Sequence, residues 1–310
     1  MTAHARPSSP TPVAPAAVSP ARRLIVTADD FGASLEVNEA VERAHRSGIL
    51  TSASLMVGAA AAEDAISRAR RLPSLAVGLH LALVRARPVL PASDLPALVG
   101  PDGRFPDGLV GSGFRFFFRP SSRVQLEREI RAQFEAFRRT GLELDHVDAH
   151  NHMHVHPTVL EIVLRVGREH GLAAVRVPRE PFLPSWRAGR SHGAGRLAAS
   201  FGLAPWIGGM RRRLARERVR SNDWIFGKND TGRMTEDCVL RLIPELPAGV
   251  SEIYFHPATR APAGADSLSS GYLFERELQA LTSPAVARAI ADAGIETTRF
   301  GSLGFREGRP

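Results

Sequence analysis

Short, fully apolar runs punctuate this chain, and between them lie longer stretches whose apolar residues recur three or four positions apart. Leu24-Ile25-Val26-Thr27-Ala28 is a β-branched run that stops at Asp29-Asp30-Phe31-Gly32. That pattern predicts a buried strand with two carboxylates at its C-terminal end. Beyond Ser34, residues Leu35, Val37, Ala40, Val41 and Ala44 fall on one helical face up to Gly48. A helix over 35–47 follows, with Ser34 as its N-cap, which leaves both aspartates free for chemistry. The same punctuation predicts strands over 51–57, 75–81, 173–177, 251–255 and 296–300. Helices are expected over 60–71, 122–139, 157–170, 235–246 and 284–293. The apolar face of the 122–139 helix is Val124, Leu126, Ile130, Phe134 and Phe137. One more strand carries the segment 145–157.

Two stretches break the rhythm. From 84 to 121 Pro, Gly and Asp interrupt the pattern, up to Phe114-Arg115-Phe116-Phe117-Phe118. A loop of that length commonly forms a lid or a binding loop. Residues 195–220 mix Leu, Ala, Phe and Trp with Arg211, Arg212, Arg213, Arg216, Arg218 and Arg220. This run reads either as a solvated helix face or as a peripheral membrane contact with Phe201 and Trp206 at the interface. Residues 222–232 read as a loop.

Seven strands separated mostly by helices imply a parallel sheet in an α/β fold. No Gly-x-Gly-x-x-Gly follows the first strand and no Gly-Lys-Ser/Thr loop is present, so nucleotide binding is disfavoured. Polar residues end the first, third, fourth and sixth predicted strands, and they converge most easily in a barrel. The expected fold is therefore an incomplete or distorted (β/α) TIM-like barrel of about seven parallel strands. It would form a single domain over 22–303, with inserts near 84–121 and 182–232. Tails at 1–21, rich in Pro, Ala and Ser, and at 304–310 flank it.

Composition narrows the chemistry. The chain has 310 residues, 44% hydrophobic and 23% charged, which suits a globular protein. A single cysteine, Cys238, builds neither a disulfide framework nor a thiolate metal cage, so a metal would take His and carboxylate ligands. The net charge of +8 admits an anionic partner. Lys228 is the one lysine; every other fixed basic side chain is arginine. No apolar run reaches the roughly 18 residues that a membrane span needs. A cytoplasmic protein, with at most peripheral contact to the inner membrane, is the expectation.

Five of the 11 histidines fall between 145 and 157. Asp148, His150, His152, His154 and His156 alternate with smaller or apolar residues. In an extended segment they would share one face. Crowded imidazoles repel one another when protonated, so a bound cation could gather them. His80 ends its own predicted strand, as Asp29-Asp30 and His150 end theirs. Arg176 and Arg179 stand where they would contact a substrate or hold a site carboxylate; a surface ion pair is the plainer reading.

Four motifs, in order and spacing, resemble those of the YdjC-like carbohydrate deacetylases. They are Thr-Ala-Asp-Asp-Phe-Gly (27–32), Gly-Leu-His-Leu (78–81), Asp-His-Val-Asp-Ala-His-Asn-His-Met-His (145–154) and Glu-Ile-Tyr-Phe-His-Pro (252–257). The His-Val-His-Pro-Thr and Arg-Val-Pro-Arg-Glu-Pro stretches and the aromatic insert are most similar to the branch serving hopanoid biosynthesis. The resemblance implies Asp30, His80 and His150 as ligands of one divalent ion, Mg²⁺ or Zn²⁺, with Asp29 as general base and His256 as acid. His146, Asp148, His152, His154, Arg176 and Arg179 would bind substrate or support the ligands. Asn151 stands where the family carries the middle histidine of His-His-His, and Ala258 where it carries glycine after His-Pro.

The implied reaction is removal of the N-acetyl group from an N-acetylglucosaminyl glycolipid, releasing acetate. A soluble chito-oligosaccharide deacetylase is the alternative. A metal phosphoesterase and a basic nucleic-acid-binding protein are the readings outside this class. The expected partners are the N-acetylated sugar or glycolipid, a membrane surface and a second copy of the chain; nucleic acid is not among them.

Overall fold

The computed structural model describes residues 21–108, 111, 113, 119–189, 193–262 and 269–304, without the side chains of 193–201 and 270. The aromatic insert at 114–118 and the side chain of Phe201 lie outside that set. β1 (Arg22–Phe31), β2 (Ser52–Leu55), β3 (Ala76–Leu81), β4 (Val147–Ala149), β5 (Trp224–Phe226), β6 (Gly249–Phe255) and β7 (Glu296–Thr298) all pair in parallel. The order is β4-β3-β2-β1-β6-β5, and β7 pairs with β1 at Arg23–Ile25. The expected incomplete (β/α) barrel is what forms.

The helices are α1 (Leu35–Ser47), α2 (Ala62–Arg70), α3 (Pro120–Arg139), α4 (Pro157–Glu169), α5 (Phe182–Gly189), α6 (Gly193–Arg216), α7 (Glu236–Leu242), α8 (Phe274–Leu281) and α9 (Pro284–Asp292). Helices cover the strands, so Leu24, Ile25, Val26 and Ala28 of β1 are all buried and no in-out alternation appears. Ser34 caps α1 by accepting from the Val37 N–H at 3.3 Å. Gly48 is its C-cap, and only glycine fits there: a Cβ would sit 2.1 Å from the Leu281 carbonyl oxygen.

Three expectations change. The strand predicted at 173–177 is reduced to two isolated parallel bridges, Val147 with Val175 and Ala174 with Arg220. The stretch read as a loop supplies β5, which pairs with β6 at Ser251–Ile253. Arg220 thus bridges toward the β4 side and Trp224–Phe226 toward β6, and these two residue groups carry the sheet round where a regular strand is missing. On α3, Val124 is 62% exposed, whereas Ser122, Glu129 and Gln133 are buried. Gln133 and Glu129 bond to one another and to the backbone of Ala82, Val89 and Leu90, so the inner face of α3 anchors the loop after β3 rather than only packing.

Candidate metal and catalytic centre

Polar side chains gather at the C-terminal end of the sheet, around a cavity of about 540 Å³. β1 supplies two of them through a break in its pleat. Consecutive strand residues normally face opposite sides. Here the register with β2 shifts between Ala28 and Phe31, and Asp30 adopts φ +60. That left-handed value is uncommon outside glycine, although aspartate tolerates it better than most. Both Asp29 and Asp30 consequently line the same cavity. Asn38 of α1 fixes the turn, accepting from the Gly32 N–H at 2.8 Å and donating to Ala61 and Asp64.

His80 ends β3 and is fully buried. Its Nδ1 lies 2.9 Å from Asp148 of β4, and its Nε2 lies 3.3 Å from Asp30 Oδ1. His150, just past β4, brings its Nδ1 within 3.0 Å of the same oxygen. One donor atom from each of Asp30, His80 and His150 falls within 4.8 Å of the others. Nε2 of His80 is buried without a hydrogen-bond partner. An imidazole tied to a carboxylate through one nitrogen, with the other aimed at a second carboxylate, is how metal-ligating histidines are oriented. Two imidazoles and one carboxylate beside an open cavity fit a single divalent cation.

A second acidic group, Asp29, His80 and Asp148, also lies close together. It encloses the guanidinium of Arg176, so its charge is already balanced. Arg176 is wholly buried, which excludes a surface ion pair. It donates to both oxygens of Asp29 at 2.8 Å, to Glu252 at 2.8 and 3.0 Å, and it pairs with Asp148. Asp29 is therefore not free, as the sequence reading had it, but clamped. Burial alone would raise the pKa of Asp148; Arg176 and His80 instead hold it far below the carboxylate range. Burial would likewise raise Asp30, yet His150 and His80 keep it low.

The segment 145–157 is not extended throughout. The strand ends at Ala149, and a 3₁₀ turn over His150–Val155 has Asn151 and His152 both at φ +54. The alternating histidines therefore diverge rather than share a face. His152 lines the cavity, edge-on to Tyr254 at 5.5 Å. His154 turns inward to the Arg176 carbonyl oxygen at 2.9 Å. His156, also buried, stands edge-on to the Trp206 ring at 5.6 Å. Burial lowers the pKa of all three, that of His154 to about 4.

His146 serves the scaffold. Its Nδ1 is 3.0 Å from Asp145, its Nε2 is 3.1 Å from Ser54, and its ring stacks on Phe300 at 4.5 Å. This has the connectivity of an acyl-transfer triad, but Ser54 and His146 are both wholly buried and neither lines the cavity. Gly78 makes room for the ring, since a Cβ there would fall 2.4 Å from it. Arg179 stacks over Trp224 at 4.1 Å, outside the cavity lining.

His256, directly after β6, puts Nε2 4.0 Å from Asp30 Oδ2, and its ring lies 4.9 Å from that of Tyr272. Burial lowers its pKa against the pull of Asp30. Its backbone N–H donates to the buried Glu277 of α8, which also accepts from the Met234 N–H at 2.8 Å. Sequence reasoning passed over Lys228, Thr231, Tyr254 and Tyr272 on this cavity's wall. They sit in loops or inside an apolar strand and carry no spacing that marks them.

The chain is similar to known carbohydrate deacetylases. It is 31% identical over 283 residues to a carbohydrate deacetylase of Brevibacillus brevis, covering 91% of this chain and all of that protein. It is 28% identical over 289 residues to a chitooligosaccharide deacetylase of Salmonella paratyphi B, covering 90% of this chain and 98% of the other. A crystal structure of a protein from Enterococcus faecalis V583 superposes with a TM-score of 0.67 at 27% identity, covering 92% of this chain and all of that one. The sequence model of the YdjC-like protein family matches residues 23–292. The chain belongs to the YdjC-like family.

Proposed function

We propose that this carbohydrate deacetylase removes the N-acetyl group of an N-acetylhexosamine unit with the help of one divalent ion held by Asp30, His80 and His150. The observation that carries the reading is the convergence of those three donors, with a buried, unbonded His80 nitrogen, at a cavity of about 540 Å³. When bound, the ion supplies a Lewis acid for the acetyl oxygen and acidifies a water. Two imidazoles and a carboxylate match Zn²⁺ better than Mg²⁺.

The chain's own groups do the rest. Asp29 accepts the proton of the attacking water. A carboxylate has about four acceptor sites, so the two N–H bonds from Arg176 leave room for that proton. The clamp also fixes the direction from which Asp29 accepts. His256, facing Asp30 from the end of β6, passes a proton to the departing nitrogen. Acetate and an amino sugar result.

The glycolipid form of the substrate is supported by an exposed apolar surface behind the histidine loop. Leu183 and Trp186 of α5 and Leu203 and Trp206 of α6 are all exposed, and Trp206 touches His156 of that loop. The soluble chito-oligosaccharide reading is favoured by the Salmonella relative that bears that name. Acetate release from an N-acetylglucosaminyl hopanoid and from diacetylchitobiose, each with and without chelator, separates the two. Release from neither substrate, or release that survives metal removal, overturns the proposal. Metal analysis near one ion per chain argues against a two-metal phosphoesterase.

A further inference from the structure

We propose that Lys228 is the substrate-positioning residue of this cavity. Its ammonium donates hydrogen bonds to hydroxyl oxygens of the sugar and disfavours the positively charged amino-sugar product. The inference rests on the deacetylase reading above and assigns a role to a residue outside the metal and proton-transfer groups.

The backbone delivers Lys228 by construction. β5 ends at Phe226, and Gly227 turns the chain at φ +109 with its Cβ position only 2.7 Å from the Tyr254 carbonyl oxygen. A side chain at 227 is therefore doubly excluded, by conformation and by space. The next residue is placed on the cavity wall beside Thr231, Tyr254 and His152.

The ammonium is not spent on the protein. It is half-buried, and among the described residues it makes no hydrogen bond or ion pair. Burial lowers the pKa of this ammonium, and Glu180 nearby opposes the shift. Yet Glu180 uses one oxygen on the Ser185 hydroxyl at 2.6 Å and the other on the Asn229 N–H at 2.8 Å. This wall thus presents an ammonium with no hydrogen-bond partner among the described residues.

Residue type adds a second argument. Every other fixed basic side chain in the chain is arginine, including Arg85, Arg87 and Arg104 around the same cavity. A guanidinium is a broad planar fork suited to carboxylate and phosphate. An ammonium is compact, with three donors that can reach separate oxygens. Sugar hydroxyls ask for the second geometry. The charge also distinguishes the two sides of the reaction. Hydrolysis breaks the acyl C–N bond of a neutral amide, and the freed amine takes up a proton near neutral pH. The resulting ammonium is repelled by Lys228, whereas the starting amide is not.

The test compares Lys228→Met and Lys228→Arg with the wild type, using diacetylchitobiose as substrate and glucosamine as an inhibitor that carries the ammonium of the amino-sugar product. In Lys228→Met, KM should rise about tenfold with kcat changed far less, and glucosamine should weaken much less than the substrate does. Lys228→Arg keeps the charge and should preserve the wild-type ratio of product to substrate affinity while still raising KM. Thermal unfolding and metal content check that both variants are intact. Unchanged KM and inhibition in Lys228→Met overturn the inference, as does a fall in kcat equal to the fall in kcat/KM, which would place Lys228 in the chemical step. A wild type that releases no acetate from any N-acetylated sugar fails the deacetylase reading instead, and the outcomes stay distinct.

Discussion

Arg176 holds both oxygens of Asp29, at 2.8 Å each, from a position with no solvent exposure. The same guanidinium also meets Asp148 and Glu252. One buried cation therefore keeps three buried carboxylates in place. Removing one partner of such a network strands the others and costs about 3–5 kcal/mol. Arg176→Met is expected to lose stability of that order in urea unfolding. Arg176→Lys retains a charge but not the fork, so it should fold better than the methionine variant and still lose most acetate release. A methionine variant as stable as wild type would show that the carboxylates are protonated and the network is not ionic.

Asp29→Asn removes the proton acceptor while leaving the three proposed ligands intact. Loss of a general base costs roughly 10² to 10⁴-fold in rate. Activity should fall within that range with metal content unchanged. Turnover close to wild type, with metal present, would assign the base to another group.

Asp148 orients His80 through the 2.9 Å contact to Nδ1 and is itself fixed by Ser54 at 3.1 Å. Replacing a carboxylate that orients a ligating imidazole typically lowers metal affinity by about 10 to 100-fold. Competition with a chelator should therefore strip Asp148→Asn at correspondingly lower chelator concentration. Equal metal retention in variant and wild type would remove His80 from the ligand set.

Glu180 and Glu277 are buried carboxyls pushed up to about 7 from 4.5, in each case chiefly by burial. A raised carboxyl pKa means that the folded state holds its proton more tightly. Its contribution is complete below about pH 4.5 and is lost as pH rises to about 7. Each shift corresponds to up to about 3 kcal/mol. Groups common to wild type and variant cancel in the difference between them. The stability difference between wild type and Glu180→Gln should therefore move against the wild type from pH 4.5 to 7, then level off. A difference that is flat with pH would mean that the fold does not raise the pKa of Glu180.

Much of this was legible before any coordinates. The run at 24–28, the Ser34 cap and the helical spacing of 35–47 sufficed for β1 and α1, because burial and capping are local signals. Asp30, His80 and His150 were legible because each closes a strand, and strand ends converge in a barrel. The histidine run misled because period two was taken to mean extended chain, whereas two left-handed residues send each ring a different way. β5 is three residues long and held by a single ladder with β6, too short for a pattern to mark. The clamp on Asp29 was hidden for a different reason: a lone arginine in an apolar stretch gives no sign of which carboxylates will surround it.

The exposed surface of α5 and α6 allows a final prediction. Trp206 and Arg213 lie seven residues apart on α6 and so face the same side. Not every arginine of the run is available to a partner. Arg213 pairs with Glu217, and Arg220 donates to the Gly301 carbonyl oxygen at 2.6 Å. Arg212 and Arg216 are exposed beside them. An anionic bilayer would gain apolar contact from Trp186 and Trp206, and about 1 kcal/mol from each arginine near its surface. No helix among the described residues is long and apolar enough to cross a membrane. The proposed contact is thus peripheral and should weaken as salt rises. Arg212→Ser/Arg216→Ser and Trp186→Ser/Trp206→Ser should each reduce sedimentation with phosphatidylserine vesicles, while acetate release from diacetylchitobiose stays near wild type, because neither pair lines the cavity. If the wild type fails to bind such vesicles even at low salt, the arginines are a solvated helix face and the soluble oligosaccharide is the better substrate assignment.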